Sequence, residues 1–279
     1  RALVVVFWGP SGLGKTELAK HLATIVHNAS ISELYASKKF VHVQMAQYKD
    51  ERGAASLIGP DVGIKGEGIL AQSLPGNPDA VVLLDEFEKG HHTGIPDVLL
   101  SMFEDNGHFK ISTTNTIVPT NKNIFIINTN LGAHIIDKNG GQLTRKAHLL
   151  TKNAKLVKEI DDECAMFLAN TPGHPFARAE MRSRIDFWVP FYPYPLDQVE
   201  QVVSRALQQK VLAYYYRPNP TGERYAVGWE RKVVTLIAKE YGGRTGTAGF
   251  RPVYKKVDDV HELLRNAREA GTFKSMDGV

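Results

Sequence analysis

With 279 residues, the chain is long enough to bury a sizeable core, as one large domain or as a large one with a smaller companion. Its 43% hydrophobic and 23% charged fractions exclude a disordered chain, and no apolar run approaches the roughly 20 residues of a membrane-spanning helix, so no membrane partner is expected. The formal charge of +4 is a slight basic excess, read as a solvated surface rather than a nucleic-acid footprint; Cys164, the single cysteine, excludes an internal disulfide and favours a reducing compartment.

The chain opens on "RALVVVFWG" without an initiating methionine, which reads as a piece of a longer protein beginning at a domain's first strand. Leu3 to Phe7 is a continuous β-branched and aromatic run with no polar alternation, so it predicts a buried parallel strand. The turn "GPSGLGKT" follows, and Glu17 to Val26 then carries helical spacing that predicts an apolar face of Leu18, Leu22, Ile25 and Val26. Further strands are predicted at Phe40 to Gln44, Ala80 to Leu84, Ile124 to Asn128 and Phe187 to Phe191, separated by segments long enough for crossover helices. This alternation predicts a parallel sheet covered on both faces.

Pro193 and Pro195 in "FYPYPLDQ" break regular structure and mark a short linker. Beyond it, Leu196, Val199, Val202, Val203, Ala206 and Leu207 form a helical stripe. Trp229 to Tyr241 predicts a second helix ending before Gly242 and Gly243, and a third starts at Pro252 with Val253, Val257, Val260 and Leu264 aligned. Residues 1–192 therefore read as a large α/β domain and residues 193–279 as a smaller, mostly helical one, without an internal repeat.

"GPSGLGKT" fits G-x-x-x-x-G-K-[ST] in full and lies between a predicted strand and a predicted helix, the context that this phosphate-binding motif needs. In the cradle formed by Gly9, Pro10, Ser11, Gly12, Leu13 and Gly14, the glycines let backbone N–H groups curl around phosphate oxygens, and the helix N-terminus adds partial positive charge. Lys15 is expected to reach the β- and γ-phosphates of ATP, and Thr16 to give its hydroxyl to Mg²⁺. In "VVLLDEFEK", Asp85 and Glu86 put adjacent, mutually repelling carboxylates at the end of a run that should be buried. A divalent cation at the phosphates would offset the repulsion, with Asp85 holding Mg²⁺ and Glu86 orienting the attacking water.

With these residues in place, the chain resembles the AAA+ ATPases, and among them the Clp heat-shock unfoldases, particularly the second nucleotide-binding module of ClpB-type disaggregases. "GPSGLGKTELAKHLA", "VVLLDEFEKGH", "IFIINTNLG" and "EMRSRIDFWVPF" look like that family's motifs, in its order, and span most of the large domain. The resemblance implies a five-stranded P-loop α/β subdomain with a small helical lid and ATP at their junction. It also implies a ring, expected to be hexameric, in which the next subunit completes each site and hydrolysis remodels, unfolds or disaggregates a protein client. By the same resemblance, Asn130 in "INTNLG" is the first sensor, which helps position the attacking water. Arg184 in "RSRID" is the arginine finger that reaches a neighbour's γ-phosphate, and Arg251 in "GFRPV" is the second sensor, bending back from the lid. Read by themselves, Asn130 is a turn residue, and Arg178, Arg182 and Arg184 are a solvated basic face.

The resemblance breaks at the pore loop. In "LIGPDVGIKGEGIL", Asp61 stands where Clp unfoldases carry an aromatic residue, and an aspartate supplies no comparable apolar grip. This keeps an alternative open: a nucleotide-gated structural or assembly subunit that does not thread polypeptide. Torsins are Clp relatives that lack both the aromatic residue and the arginine finger, so Arg184 favours an active ring. Trp229, Glu230 and Arg231 resemble the mitochondrial ClpB-like disaggregases of animals, which adds the mitochondrial matrix to the cytoplasm as an expected intracellular location.

Other patterns are set aside. His91, His92, His108 and His174 lack the paired spacing of a zinc site and read as surface residues. "TNKNI" has Ile124 where a guanine-reading motif needs aspartate. Tyr214, Tyr215 and Tyr216 read as packing at a helix end rather than base stacking, so no nucleic-acid partner is expected.

Overall fold

In the computed structural model of the chain, residues 1–49, 53–59, 68–90, 94–111, 113–136, 154–171, 174–212, 231–242 and 251–270 are described. Two compact units divide it: Arg1–Gly9, Gly14–Asn139 and Leu150–Phe191 form the first, and Pro10–Leu13, Gly140–Leu149 and Tyr192–Val279 the second. Among the described residues, no helix is long and apolar enough to cross a membrane.

The first unit contains the elements β1 (Leu3–Trp8), α1 (Lys15–His27), α2 (Ile31–Ala36), β2 (Phe40–Gln44), α3 (Gly53–Ile58), α4 (Ile69–Ser73), β3 (Val81–Asp85) and α5 (Gly94–Met102). It continues with β4 (His108–Ile111), β5 (Thr116–Pro119), β6 (Ile124–Thr129), α6 (Ala154–Asn170), α7 (Ala179–Ser183) and β7 (Phe187–Pro190). Five strands form one sheet in the order β2-β3-β6-β1-β7, and every pairing is parallel. The fold is therefore the expected α/β class with a five-stranded parallel sheet.

These strands are rich in valine and isoleucine because both faces are covered. On one face Phe7, Phe40, Val81, Leu83 and Ile126 cluster with Ala19, Ala23 and Leu34. On the other, Phe103, just past α5, stacks edge-on against Phe125 with ring centres 4.9 Å apart.

Three details differ from the sequence reading. Strand β3 runs one residue further, because the ladder to β2 continues to the pair Gln44 and Asp85, so Asp85 belongs to the sheet. Helix α1 turns Ala19 and Ala23 to the sheet with Leu22 partly buried, while Leu18, Ile25 and Val26 are exposed, Ile25 by 74%. Small side chains at i and i+4 let the helix backbone sit close over the strands. The antiparallel pair β4–β5 was not foreseen, although Phe109 and Ile111 alternate with exposed neighbours as a half-buried strand requires.

The second unit contains α8 (Leu196–Leu207), α9 (Arg231–Gly242) and α10 (Arg251–Glu269). Val199, Val203, Ala206 and Leu207 pack with Val234, Ile237, Ala238, Val253 and Val257 in one apolar core. The expected stripe is thus present except at Leu196, which is exposed in the helix's first turn, and Pro195 sits at the helix entry with φ −65°. Trp229 and the tyrosines at 214–216 lie outside the described residues.

Candidate functional site

The carboxyl ends of β1, β6 and β3 align, since Trp8 pairs with Thr129 and Leu84 with Ile127. Ligands of open parallel sheets bind beyond this edge. Here β1 runs into the glycine turn, in which Gly9, Gly12 and Gly14 have φ of +133°, +78° and +94°. A Cβ on Gly9 would lie 2.5 Å from the Phe191 carbonyl oxygen, so both backbone angle and space require glycine there. Gly14 precedes α1 without a side-chain cap, which leaves the first-turn N–H groups to other partners. Pro10, Ser11 and Leu13 complete the turn, with Leu13 buried.

Lys15 is only 7% exposed. Its Nζ donates to the Gly9 carbonyl at 2.7 Å and to Asn130 Oδ1 at 2.8 Å, which compensates the burial of its charge. The Thr16 hydroxyl donates to Asp85 Oδ2 at 3.0 Å. Asn128 Nδ2 donates to Asp85 Oδ1 at 3.1 Å and to Thr16 Oγ1 at 3.3 Å, and His42 Nε2 lies 3.1 Å from Asp85 Oδ2. Burial pushes the Asp85 carboxyl up, but hydrogen bonds from His42, Asn128 and Thr16 and the positive field of His42 outweigh it, so the group is held below the usual carboxylate value.

Glu86 adopts φ 54° and ψ 47°, a left-handed conformation rare outside glycine. This turn sends its carboxylate to partners that Asp85 does not share: Gln44 Nε2 at 3.2 Å and Lys89 Nζ at 2.8 Å. Each carboxylate thus has protein partners of its own, which offset part of the repulsion that the sequence reading assigned to a divalent cation. Thr16 and Asp85 nonetheless present hard oxygen atoms side by side, the donor set that suits Mg²⁺. Among the described residues there is no cluster of three or more His, Cys, Asp or Glu, and a magnesium ion shared with substrate phosphates needs none.

Asn130 is fixed from both sides. Its Oδ1 faces Lys15, while its backbone N–H and its Nδ2 donate to Glu88 at 3.2 and 3.0 Å. Sequence reasoning missed Glu88, His42, Gln44 and Asn128. The signal for three of them was present as polar residues interrupting apolar strands, His42 and Gln44 in "FVHVQ" and Asn128 in "IFIIN".

Arg184 is not brought to this cluster. Its Nη2 meets Glu104 Oε1 at 3.1 Å and its Nη1 donates to the Glu180 carbonyl at 2.9 Å, beside an open cleft lined also by Arg1, Asn106 and Ser183. The Arg1 guanidinium donates to the Arg184 carbonyl, and the Asp186 N–H to the Val4 carbonyl, so Arg184 sits at the amino end of β1. The length of that strand, about 17 Å, separates it from the glycine turn. Arg251 opens α10, but its side chain, like Asp61, lies outside the described residues. His174, expected at the surface, is 6% exposed. It is enclosed by the rings of Phe87 and Phe176 and accepts the Phe176 N–H through Nδ1 at 3.2 Å.

The sequence model of the AAA domain (Cdc48 subfamily) matches residues 1–170, more than half of the chain. The chain belongs to the AAA domain family. An AAA domain is a nucleotide-binding module, and its glycine turn and flanking β1 and α1 fall within the matched stretch. This AAA domain is 26% identical over 276 residues to the chaperone protein ClpB of Chlamydia muridarum, covering 98% of the chain and 28% of that protein. It is 29% identical over 266 residues to the human mitochondrial disaggregase, covering 89% of the chain and 35% of that protein. The chain thus spans about a third or less of these relatives. Among solved structures, the S. cerevisiae Hsp104:casein complex in its extended conformation matches with a TM-score of 0.72 and 24% identity, over 98% of this chain and 42% of that one. The likeness extends to the whole fold.

Proposed function

We propose that the chain is the ATP-hydrolysing module of a Clp-type AAA+ ring, expected to be hexameric, that remodels, unfolds or disaggregates protein. The observation that carries this reading is the gathering of Lys15, Thr16, Asp85, Glu86 and Asn130 at the carboxyl edge of one sheet. Relatives named as a ClpB chaperone and a mitochondrial disaggregase, and a related fold seen in complex with casein, support a polypeptide client. In this reading residues 1–192 bind nucleotide, residues 193–279 form the lid, and the protein works in the cytoplasm or the mitochondrial matrix.

ATP bound with Mg²⁺ would supply the γ-phosphoryl group and a cationic charge that offsets its phosphates. The chain's residues do the rest. Lys15 would exchange Gly9 and Asn130 for phosphate oxygens, and Thr16 and Asp85 would hold the ion through their own oxygens. Glu86 releases a partner to orient and polarise water, and Asn130 positions that water against the γ-phosphate. Arg184, a strand's length from its own glycine turn, serves the adjacent subunit's site, and Arg251 serves as second sensor.

Glu86→Gln in the full-length protein is expected to keep ATP bound while abolishing turnover. Near wild-type turnover would overturn the assignment. Mixing that variant with Arg184→Ala restores some activity only where sites are shared between subunits. Asp61 favours a second reading, a nucleotide-gated assembly subunit that threads nothing. ATP-dependent unfolding of a tagged substrate by the full-length ring would dismiss it.

A further inference from the structure

We infer that Glu88 is a positioning residue for the ATPase site, acting through Asn130; the inference rests on the reading of Asn130 as the group that senses the γ-phosphate. The Glu88 carboxylate takes the backbone N–H of Asn130 on Oε2 and its side-chain Nδ2 on Oε1, at 3.2 and 3.0 Å. On the other side, Asn130 Oδ1 accepts from Lys15 Nζ at 2.8 Å. A carboxamide is nearly symmetric in shape, so its orientation is dictated by its neighbours. A carboxylate only accepts and an ammonium only donates. Both therefore demand the same orientation, with the amide nitrogen towards Glu88 and the oxygen towards Lys15.

The amide nitrogen carries two hydrogens, and Glu88 uses one. The second is left on a group whose backbone and side chain are gripped by the same carboxylate, which removes the rotational freedom that would blur its aim. Glu88 is itself held firmly. It lies in the short turn Phe87–Lys89, whose Phe87 is buried against Phe176 with ring centres 5.1 Å apart. The turn closes at Gly90, where a Cβ would come within 2.7 Å of the Met45 carbonyl oxygen. A rigid turn thus carries an acceptor that sets a polar side chain on a different strand end, the arrangement by which a supporting shell fixes catalytic geometry.

The test uses the full-length protein and has two readouts. In the structure of the Glu88→Ala protein, the Asn130 side chain, held by Lys15 alone, is expected to occupy more than one rotamer; a single Asn130 conformer unchanged from wild type overturns the inference. In turnover, Glu88→Ala should lower kcat by about 10- to 100-fold with little change in KM, as for a displaced catalytic group. Because it acts through Asn130, the double variant Glu88→Ala/Asn130→Ala should be no slower than Asn130→Ala alone. Losses that multiply, or a Glu88→Ala enzyme as fast as wild type, also overturn it. Glu88→Gln preserves shape but offers one acceptor oxygen where Asn130 presents two donors, so an intermediate loss is expected. Should the alanine variant fail to fold, wild-type turnover in Glu88→Gln decides against the inference. An Asn130→Ala protein with undiminished turnover would instead refute the sensor reading, and the structural readout would still decide whether Glu88 sets Asn130.

Discussion

Alanine at Gly9 and at Gly14 gives a paired test of whether the glycine turn is built before nucleotide arrives. Both positions have positive φ, +133° and +94°, so each alanine stores about 1–3 kcal/mol of backbone strain. A stiffer unfolded chain returns roughly 0.4–1 kcal/mol of this in both variants. The surroundings then separate them. A Cβ at Gly14 meets nothing within 4 Å, whereas at Gly9 it would stand 2.5 Å from the Phe191 carbonyl oxygen and 3.3 Å from Ile136 Cδ1. That carbonyl cannot easily retreat, because the N–H of Phe191 is bonded to the Trp8 carbonyl at 2.8 Å. Overpacking of this kind costs about 1–3 kcal/mol more. With a urea slope of about 1–3 kcal/mol per molar, the midpoint of Gly9→Ala should fall about 1 M below that of Gly14→Ala. Buried Trp8, next to the turn, gives a fluorescence signal for the nucleotide-free full-length protein. Equal midpoints, or a lower one for Gly14→Ala, would refute the close approach of the turn to the β7 end.

Three further outcomes follow from the same contacts. Because the folded-state pKa of Asp85 is depressed, its contribution to stability is present above the unfolded value of about 3.9 and is lost as pH falls through the folded value. Thermal midpoints of the nucleotide-free protein between pH 5 and 2 should therefore fall less steeply in Asp85→Asn; an unchanged acid slope would contradict the assignment. Phe176, fully buried between Phe87, His174 and Trp188, should cost about 3–5 kcal/mol when cut to alanine, read as a denaturant midpoint shift at constant slope. Asn130→Ala removes the internal acceptor that competes for Lys15, so ATP affinity should hold or tighten while single-turnover hydrolysis slows. A dissociation constant that weakens in step with the rate would show that Asn130 holds nucleotide rather than aims water.

The core strands were legible because a parallel sheet buried on both faces leaves a continuous apolar run, and "LVVVF" and "VVLL" could be little else. The glycine turn was legible for a related reason: its glycines are fixed by backbone geometry that is local in sequence, as is the motif they form with Lys15 and Thr16. Helix α1 was placed correctly and its face misread. Period alone favours the large residues Leu18, Ile25 and Val26, whereas close approach to the sheet selects Ala19 and Ala23. His174 and Glu88 were opaque for a different reason. Each is enclosed by an element distant in the chain, Phe87 for the one, beside its near neighbour Phe176, and Asn130 for the other, and no local pattern records such a meeting.

The arrangement around the glycine turn also bears on how binding energy is used. Lys15 rests on Gly9 and Asn130, Asp85 on His42, Thr16 and Asn128, and Glu86 on Gln44 and Lys89. Each of these charges is compensated internally, which limits the desolvation penalty of gathering them at one sheet edge. In the proposed function, ATP would exchange these contacts for its own, and its affinity would be the difference between two well-satisfied sets. A site built this way would bind nucleotide less tightly than the sum of its contacts suggests. In the proposed function, the same exchange would link occupancy to the positions of the β2 end, the turn after β3 and the end of β6, since each would give up a partner to the phosphates. That linkage is what a module needs if hydrolysis is to be felt beyond the reacting atoms.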